Sequence, residues 1–197
     1  MRKLTQRTEA VVRLHALRHN IQNVQSRLHD GCRMMAVLKG DGYGHGIHHI
    51  YPTLKAAGLR DFAVAIWEEG VMLRKAGCTD PVLVLGDTCD NCLEQLVEHQ
   101  LTPTVFSLET AQKLNALAVA RGVTQPVHIK IDTGMSRIGF AADDTSLAPI
   151  AAIGKLPGLR ITGAFTHFAR ADEPDGQAAA AQFETYMAMM EKLEAMG

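Results

Sequence analysis

Apolar and polar residues follow each other along this chain in an order that predicts alternating helices and strands. The apolar positions of residues 8–28 recur at helical spacing, which predicts an opening amphipathic helix. Short apolar runs then predict strands over residues 34–38, 62–66, 82–85, 104–106, 127–132 and 161–167. Helix-like stretches such as residues 68–75 and 108–121 separate these strands.

This alternation predicts a parallel sheet covered by helices, an α/β fold. Ser107 precedes the stretch 108–121 as a plausible N-cap, and Gly122 follows it as a plausible stop. About six strand–helix units follow one another without a linker, so we expect one domain over residues 1–197. A closed (β/α)₈ TIM-type barrel has eight units and typically about 250 residues. The pattern therefore predicts an incomplete barrel of this type.

Composition narrows the class of partner. The chain is 47% hydrophobic and 21% charged, as expected for a globular domain, and 20 Lys and Arg residues stand against 21 Asp and Glu residues. This balance argues against nucleic acid or an anionic membrane as a partner and favours a small molecule. No apolar stretch has the roughly 18 to 20 residues of a membrane span, and residues 1–18 lack a signal-peptide core. We therefore expect a cytoplasmic protein.

The four cysteines are too few and too irregularly spaced for a disulfide framework. They are Cys32, Cys78, Cys89 and Cys92, of which the last two form a lone CxxC motif. A zinc site would require a second pair of ligands at a suitable spacing, and the sequence has none. We expect no metal site, and we expect buried or half-buried free thiols.

Ionisable residues occupy one face of a predicted strand. His128, Lys130 and Asp132 alternate with apolar residues in the strand 127–132, so they point toward the barrel interior if the sheet curves as expected. Three polar groups in such an interior are costly unless they are paired or used in function. The alternative is a strand at the edge of the sheet with one solvated face.

Lys39 follows the first predicted strand at its carboxyl end, the end at which barrel enzymes keep their active sites. A lysine amine in this position can act as a nucleophile toward an aldehyde. Glycines at positions 40, 42, 44 and 46 would let the backbone approach a ligand, and Tyr43 supplies a hydroxyl donor. The alternative for Lys39 is an ordinary surface lysine.

Two further candidates follow later strands. Arg137 lies in a turn between Gly134 and Gly139, where a guanidinium could bind a carboxylate or phenolate with two hydrogen bonds. His167 ends the sixth predicted strand, where its ring could pack on a planar cofactor. The alternatives are a surface arginine and a core histidine with satisfied hydrogen bonds.

Four ordered motifs carry a family resemblance. AVLKGDGYGHG at residues 36–46 resembles the pyridoxal-phosphate attachment motif of bacterial alanine racemases. AIWEEG at 65–70, HIKIDTGMSRIGF at 128–140 and THFARAD at 166–172 are similar to further segments of that family, in the same order. The resemblance extends over essentially the whole chain.

The resemblance implies roles for these residues. Lys39 would hold pyridoxal 5′-phosphate as a Schiff base and act as the catalytic base on the D-alanine side. Tyr43 would contact the phosphate, Arg137 the phenolic oxygen and the substrate carboxylate, and His167 the pyridine ring. Lys130 corresponds to a lysine that is carbamylated in some relatives, which would remove a like-charge conflict with Arg137.

The resemblance also implies what this chain lacks. Family members carry a carboxyl-terminal β domain whose tyrosine serves as the second base across a homodimer interface, and further cofactor contacts lie beyond the segments matched here. We therefore expect the amino-terminal part of an alanine racemase, an isomerase that supplies D-alanine for peptidoglycan, and we expect this part to be inactive alone. The alternatives are a single-domain pyridoxal-phosphate homeostasis protein and a racemase of another amino acid such as serine or ornithine.

Overall fold

The computed structural model describes residues 10–87 and 89–196. Its seven strands form one sheet in which every paired strand is parallel to its neighbour. They are β1 (Met35–Val37), β2 (Asp61–Val64), β3 (Val82–Val84), β4 (Thr102–Val105), β5 (Gln125–Asp132), β6 (Phe140–Ala141) and β7 (Leu159–Phe165). The sheet order is β1-β2-β3-β4-β5-β6, and β7 also pairs with β5.

Helices connect successive strands except β5 and β6, which a loop joins. They are α1 (Leu14–Gln25), α2 (Lys39–Tyr43), α3 (Ile47–Ala56), α4 (Trp67–Lys75), α5 (Leu93–Glu98), α6 (Leu108–Ala120), α7 (Leu147–Gly154) and α8 (Gln177–Glu194). Two short 3₁₀ helices, Asp90–Cys92 and Asp144–Ser146, precede α5 and α7. All six predicted strands are present, and the two-residue β6 is an addition that the pattern did not indicate. The prediction of an incomplete (β/α)₈-type barrel is confirmed.

The core lies between the sheet and the helices on its outer face. Phe62 of β2 and Ile129 of β5 are fully buried together with Leu73 of α4 and Leu114 of α6. Each such side chain contributes about 1.5–3 kcal/mol when it leaves water. Apolar residues at these positions therefore fix which face of each helix contacts the sheet.

Among the described strands, β1 pairs only with β2, and β7 pairs only with β5. The side chains of Met35 and Val37 on β1 are 37% and 38% exposed, while Leu38, the next residue, is buried. The two apolar side chains thus lie on a concave face that the described residues do not fill. An unfilled interior of this kind is what an incomplete barrel predicts.

The local capping signals of α6 are confirmed. The Ser107 hydroxyl accepts a hydrogen bond of 3.4 Å from the amide of Thr110, and Gly122 adopts a φ of 64° just after the helix. The opening helix differs from its prediction. Residue 8, its predicted start, lies outside the described residues, and residues 10–13 are not helical because the chain is still extended at Arg13. The helix therefore begins at Leu14.

None of the helices in the described part of the chain is at once long enough and apolar enough to cross a bilayer.

Candidate active site

Lys39 begins an unusual turn at the carboxyl end of β1. Gly40, Asp41, Gly42 and Tyr43 all have positive φ, at 60°, 52°, 66° and 56°, so α2 is a left-handed turn. This conformation is unfavourable for Asp41 and Tyr43, whose side chains crowd the backbone there. Such strain persists only where the surroundings determine it, and it is frequent at functional sites.

The turn is held by hydrogen bonds on both sides. The amide of Gly42 donates to the carbonyl of Leu38 at 2.9 Å, and the Asp41 carboxylate accepts from the amide of Ile47 at 2.7 Å, where α3 begins. A Cβ on Gly42 would lie 2.7 Å from the Ile50 Cδ1 atom, and the φ of 66° is itself unfavourable for a larger residue. The Lys39 backbone is therefore anchored to the first turn of α3.

The carboxylate of Glu69 supports the turn from α4. It accepts hydrogen bonds from the amides of Gly40 at 2.5 Å, Ala65 at 2.8 Å and Ile66 at 3.3 Å. Ala65 and Ile66 follow β2, so Glu69 joins the ends of two neighbouring strands. The sequence predictions gave Glu69 no role, although its place in the first turn of α4 is the place where a side chain caps preceding amides.

Lys39 and Tyr43 extend from this turn at the surface. The Lys39 Nζ atom lies 5.9 Å from the centre of the Tyr43 ring, within the range of a cation–π contact. Tyr43 is 61% exposed, and Lys39 is also exposed. Both polar ends are therefore accessible to a ligand.

Arg137 follows β5 in a loop that Asp132 organises. One carboxylate oxygen of Asp132 accepts from the amides of Gly134 and Ser136, each at 3.0 Å. Burial works to raise the pKa of Asp132, but these hydrogen bonds and the charge of Lys130 outweigh it and lower that pKa. Asp132 therefore stays ionised, and the loop holds Arg137 exposed at the carboxyl edge of the sheet.

Lys130 is the most deeply buried of the candidates. It is 2% exposed; its Nζ atom donates to the carbonyl of Ile131 at 2.9 Å and lies 5.3 Å from the centre of the Phe165 ring. Burial lowers its pKa, Asp132 opposes the shift, and Arg137 adds to it. A buried lysine with a lowered pKa differs from the solvated edge lysine that was the alternative.

His167 follows β7, and the positive charges of the other candidates influence its pKa. Burial lowers its pKa first, and the positive charges of Arg137, Lys130 and Lys39 lower it further, in that order. The residue as a whole is exposed, so it is no core histidine. Lys39, Arg137 and His167 follow the strands β1, β5 and β7, and Lys130 pairs with the last residue of β7. The four side chains therefore belong to the carboxyl edge of the sheet, where positive charge favours an anionic ligand.

Gln182 of α8 fixes the loops that carry Arg137 and His167. Its amide nitrogen donates to the Thr133 hydroxyl and to the carbonyl of His167, each at 3.1 Å, and its amide oxygen accepts from Ala169 at 2.8 Å. Sequence reasoning missed this residue. The sequence feature that could have indicated Gln182 is a polar residue on the same face of α8 as Met189, a face that is buried.

A cavity of about 750 Å³ lies at the opposite, amino edge of the sheet. Met35, Asp61, Leu83, His128 and Thr162 are among the residues that line it. The cavity is therefore separate from the edge that holds Lys39, and it is not lined by Tyr43, Lys130, Arg137 or His167.

The cysteines differ in part from their predicted burial. Cys78 is buried and Cys92 half-buried, but Cys32 and Cys89 are exposed because they lie in loops outside the core. All four are free thiols. Within residues 10–87 and 89–196, no cluster of three His, Cys, Asp or Glu side chains has the geometry of a metal site.

Fold and site together define a domain of the parallel α/β barrel type with a lysine at the carboxyl end of its first strand. Residues 12–197 match the family described as alanine racemase, N-terminal domain. The chain therefore belongs to this family.

Known proteins of this family support the match. An alanine racemase of Desulforamulus reducens is 40% identical over 188 residues, which are 95% of this chain and 51% of that protein. The structure of an alanine racemase of Clostridium difficile superposes with a TM-score of 0.94 at 39% identity over 98% of this chain and 50% of that one. A histidine racemase of Leuconostoc mesenteroides gives a TM-score of 0.81 at 28% identity, over 88% of this chain and 46% of that one. This chain spans about half the length of these relatives.

Proposed function

We propose that this chain is the amino-terminal, cofactor-holding part of a pyridoxal-phosphate-dependent alanine racemase. The placement of Lys39, Lys130, Arg137 and His167 at the carboxyl edge of the sheet carries the proposal. The named relatives support the activity, which belongs in them to proteins about twice as long as this chain. A homodimer, a cytoplasmic location and a role in supplying D-alanine for peptidoglycan form part of the proposal.

The side chains at this edge fit pyridoxal 5′-phosphate by their chemistry. Lys39 supplies the primary amine that condenses with an aldehyde, and the exposed guanidinium of Arg137 supplies positive charge for a phosphate or phenolate oxygen. The exposed hydroxyl of Tyr43 supplies a neutral donor beside Lys39. When bound, this cofactor supplies an electron sink that makes the α-proton of an amino acid removable.

The protein side chains would then hold the substrate and move its proton. The Lys39 amine takes the proton from one face of the α-carbon as a general base and returns it as a general acid. The Arg137 guanidinium pairs with the substrate carboxylate in two parallel hydrogen bonds, which fixes the face presented to Lys39. Its exposure in the loop after β5 leaves its donors accessible for this pairing.

Lys130 would position Arg137 rather than contact substrate. As an ammonium group, it adds to the positive charge around Arg137 and His167. We include carbamylation of Lys130 in the proposal because burial lowers its pKa and so makes the neutral amine, the form that adds carbon dioxide, more accessible than at a surface lysine. The carbamate would replace the like charge beside Arg137 with a negative one. His167 would remain neutral and pack against the flat face of the cofactor.

Reductive labelling tests the cofactor part of this proposal. The chain is incubated with pyridoxal phosphate, reduced with borohydride and mapped by peptide mass spectrometry. We expect the pyridoxyl group on Lys39, its loss in Lys39→Ala and no change in Lys55→Ala, the control. A pyridoxyl group mainly on Lys55 or Lys130 would contradict the assignment.

A racemase for another amino acid is the second candidate. The observation that favours it is the likeness to a structure named as a histidine racemase, whose TM-score of 0.81 shows that this fold is not restricted to proteins named for alanine. Chiral chromatography of alanine, serine, ornithine and histidine, each incubated with a complete protein that contains this chain, separates the two candidates. The alanine proposal requires the highest kcat/KM for alanine.

A further inference from the structure

Two cysteine sulfurs lie in contact in the loop that follows β3. The Sγ atoms of Cys89 and Cys92 are 2.9 Å apart, and Cys89 is exposed while Cys92 is half-buried. The loop leaves the carboxyl end of β3, at the same edge of the sheet as Lys39. The proposed racemase chemistry uses neither thiol.

The backbone brings the two thiols together without help from the sulfurs. The amide of Cys92 donates to the carbonyl of Cys89 at 2.9 Å, which closes the 3₁₀ turn and turns both side chains toward each other. Lys113 of α6 anchors this turn, since its Nζ atom lies 2.6 Å from a carboxylate oxygen of Asp90 and 2.7 Å from one of Glu109. The backbone turn and its ion pair with Lys113 therefore hold the two thiols close together.

We propose that Cys89 and Cys92 form a reversible dithiol–disulfide site that exchanges electrons with small-molecule disulfides such as glutathione disulfide. Pairs of nearby accessible thiols in CxxC motifs are suited to this chemistry, because the second thiol resolves the adduct formed by the first. The proposal is independent of the racemase activity and extends beyond it.

The proposed reaction consists of two thiol–disulfide exchange steps whose atoms and electrons balance. The Cys89 thiolate attacks one sulfur of glutathione disulfide, forms a mixed disulfide and releases one glutathione thiolate. Cys92 then loses its proton, attacks the Cys89 sulfur and releases the second glutathione. The protein loses two protons and two electrons in total, and one glutathione disulfide becomes two glutathione thiols.

The surroundings of Cys89 and Cys92 determine which of the two thiols reacts first. The neighbouring Cys89 raises the pKa of Cys92, with burial as the second cause, while the Trp67 indole opposes the shift as a hydrogen-bond donor. Cys92 thus keeps its proton and is the less accessible of the two. Cys89, at the surface, is the residue that an external disulfide reaches first.

The other two cysteines are placed differently. Cys78 is buried, and its sulfur lies 3.6 Å from Arg74 Nη1 and 3.8 Å from the Asp80 carbonyl. Cys32 is exposed in the loop before β1, at the amino edge of the sheet. Cys32 is therefore the matched control, an accessible thiol with no second cysteine in contact.

Trp67 provides an internal reporter of the reaction. It is the only tryptophan of the chain, and its indole lies beside the Cys92 thiol at the start of α4. Conversion of the thiol to a disulfide changes the group that contacts the indole. We expect the fluorescence of Trp67 to change with the oxidation state of Cys92 and to be insensitive to that of Cys32.

The test uses the Cys32→Ser chain in buffers of increasing glutathione disulfide to glutathione ratio. After alkylation, an Asp-specific protease cuts before Asp90 and so separates Cys89 from Cys92, which leaves a linked peptide pair only where a disulfide joins them. We expect this linked pair, no retained glutathione and a parallel change in fluorescence, all reversed by dithiothreitol. A stable glutathione adduct on Cys89, or a disulfide between two chains, would overturn the proposal.

Single variants separate the two steps. In Cys92→Ser, Cys89 should retain glutathione because no second thiol resolves the adduct, and in Cys89→Ser, Cys92 should react more slowly than Cys32 does. Both variants should melt at the temperature of the parent chain, because neither thiol belongs to the core. Rapid loss of glutathione from Cys92→Ser would contradict the assigned roles. The linked-peptide result of the Cys32→Ser chain decides the proposal even if a variant fails to fold.

Discussion

The backbone amide of Gly40 donates a 2.5 Å hydrogen bond to the carboxylate of Glu69, although the two residues are 29 positions apart. The second carboxylate oxygen accepts from the amides of Ala65 and Ile66. One side chain therefore joins the end of β2 to the residue that follows Lys39. Because the amide of Gly40 in the left-handed turn has this partner, the orientation of Lys39 depends on a carboxylate in the first turn of α4.

We predict that Glu69→Ala impairs attachment of pyridoxal phosphate to Lys39. Hydrogen bonds to a charged group contribute about 1.5–3 kcal/mol, so the loss should weaken cofactor binding by at least about tenfold. The measurement is a binding titration that follows the absorbance of the lysine-bound cofactor, together with the pH dependence of this absorbance. Glu69→Gln, which keeps one acceptor oxygen, should recover part of the affinity.

Glu68→Ala is the matched control, because Glu68 is exposed and lies one position earlier in the first turn of α4. Its affinity and absorbance should equal those of the parent chain. Equal weakening by Glu68→Ala and Glu69→Ala would indicate a general effect of charge on α4 and would remove the special role of Glu69.

A second prediction concerns Gln182, which is 7% exposed and bonded to Thr133, His167 and Ala169. Gln182→Ala removes these three hydrogen bonds, each of which contributes about 0.5–1.5 kcal/mol. We expect the free energy of unfolding to fall by about 2–3 kcal/mol in urea denaturation. Gln177→Ala, at an exposed position of α8, should change it by less than about 0.5 kcal/mol.

The sequence and the structure agree where local patterns determine structure. The strand at 127–132 and the helix at 108–121 were predicted within two residues of β5 and α6, since apolar spacing and the caps at Ser107 and Gly122 are local signals. Lys39, Arg137 and His167 were named as candidates from the sequence because each follows a strand at its carboxyl end, and their roles stay predictions. The alternation of polar and apolar residues along strand 127–132 predicted that Lys130 points inward, and Lys130 is buried.

Local sequence signals did not indicate Glu69 and Gln182, the residues that support the site. Glu69 acts on Gly40 and Gln182 acts on Thr133, and both contacts depend on how separate loops meet after folding. The left-handed turn at residues 40–43 was also missed, because glycine spacing predicts flexibility and does not specify the four positive φ values. Strain at Asp41 and Tyr43 is maintained by tertiary contacts that a sequence pattern does not contain.

A third prediction concerns the charge of Arg137 at His167. The pKa of His167 lies below the ordinary histidine value of about 6.5, and Arg137 is the second cause after burial. Arg137→Gln should therefore raise this pKa, as measured by NMR titration of the imidazole signals. Arg160→Gln, at the exposed start of β7, is the control and should leave the pKa of His167 unchanged.

The lowered pKa of His167 also affects stability. The unfolded chain binds a proton at this histidine more readily than the folded chain, so the free energy of unfolding falls as pH drops below about 6.5. Arg137→Gln should reduce this fall.

The same side chain should matter for catalysis in a complete protein that contains this chain. Arg137→Lys keeps the charge but loses the planar pair of donors, so kcat/KM should fall at least about tenfold, equal to about 1.4 kcal/mol. An unchanged value would make Arg137 a surface residue with no part in substrate binding.

A fourth prediction is carbamylation of Lys130. Burial lowers its pKa, so the neutral amine needed to attack carbon dioxide is more populated than at a surface lysine. One C–N bond forms, and one proton is released to solvent. We expect a carbamate carbon signal with ¹³C-bicarbonate that grows as pH rises, disappears on acidification and is absent in Lys130→Ala. Lys155→Ala, which removes an exposed lysine, should retain the signal.

The last prediction is that a polypeptide of these 197 residues alone racemises alanine at a negligible rate and tends to associate. In the described part of the chain, β1 and β7 each leave one edge unpaired, and Met35 and Val37 are exposed on the concave face. Open edges of this kind invite pairing with another chain, and water on the concave face weakens the electrostatic contacts of Lys39 and Arg137.

Proton transfer leads to the same expectation. Lys39 lies on one side of the proposed site, and a single base on one face of an α-carbon transfers a proton poorly to the opposite face. The test follows the optical activity of L-alanine with the chain saturated with pyridoxal phosphate, and light scattering measures its mass over a range of concentrations. Lys39→Ala supplies the background rate. Rapid turnover by a stable monomer would refute both the role of the open edges and the need for a second base from elsewhere.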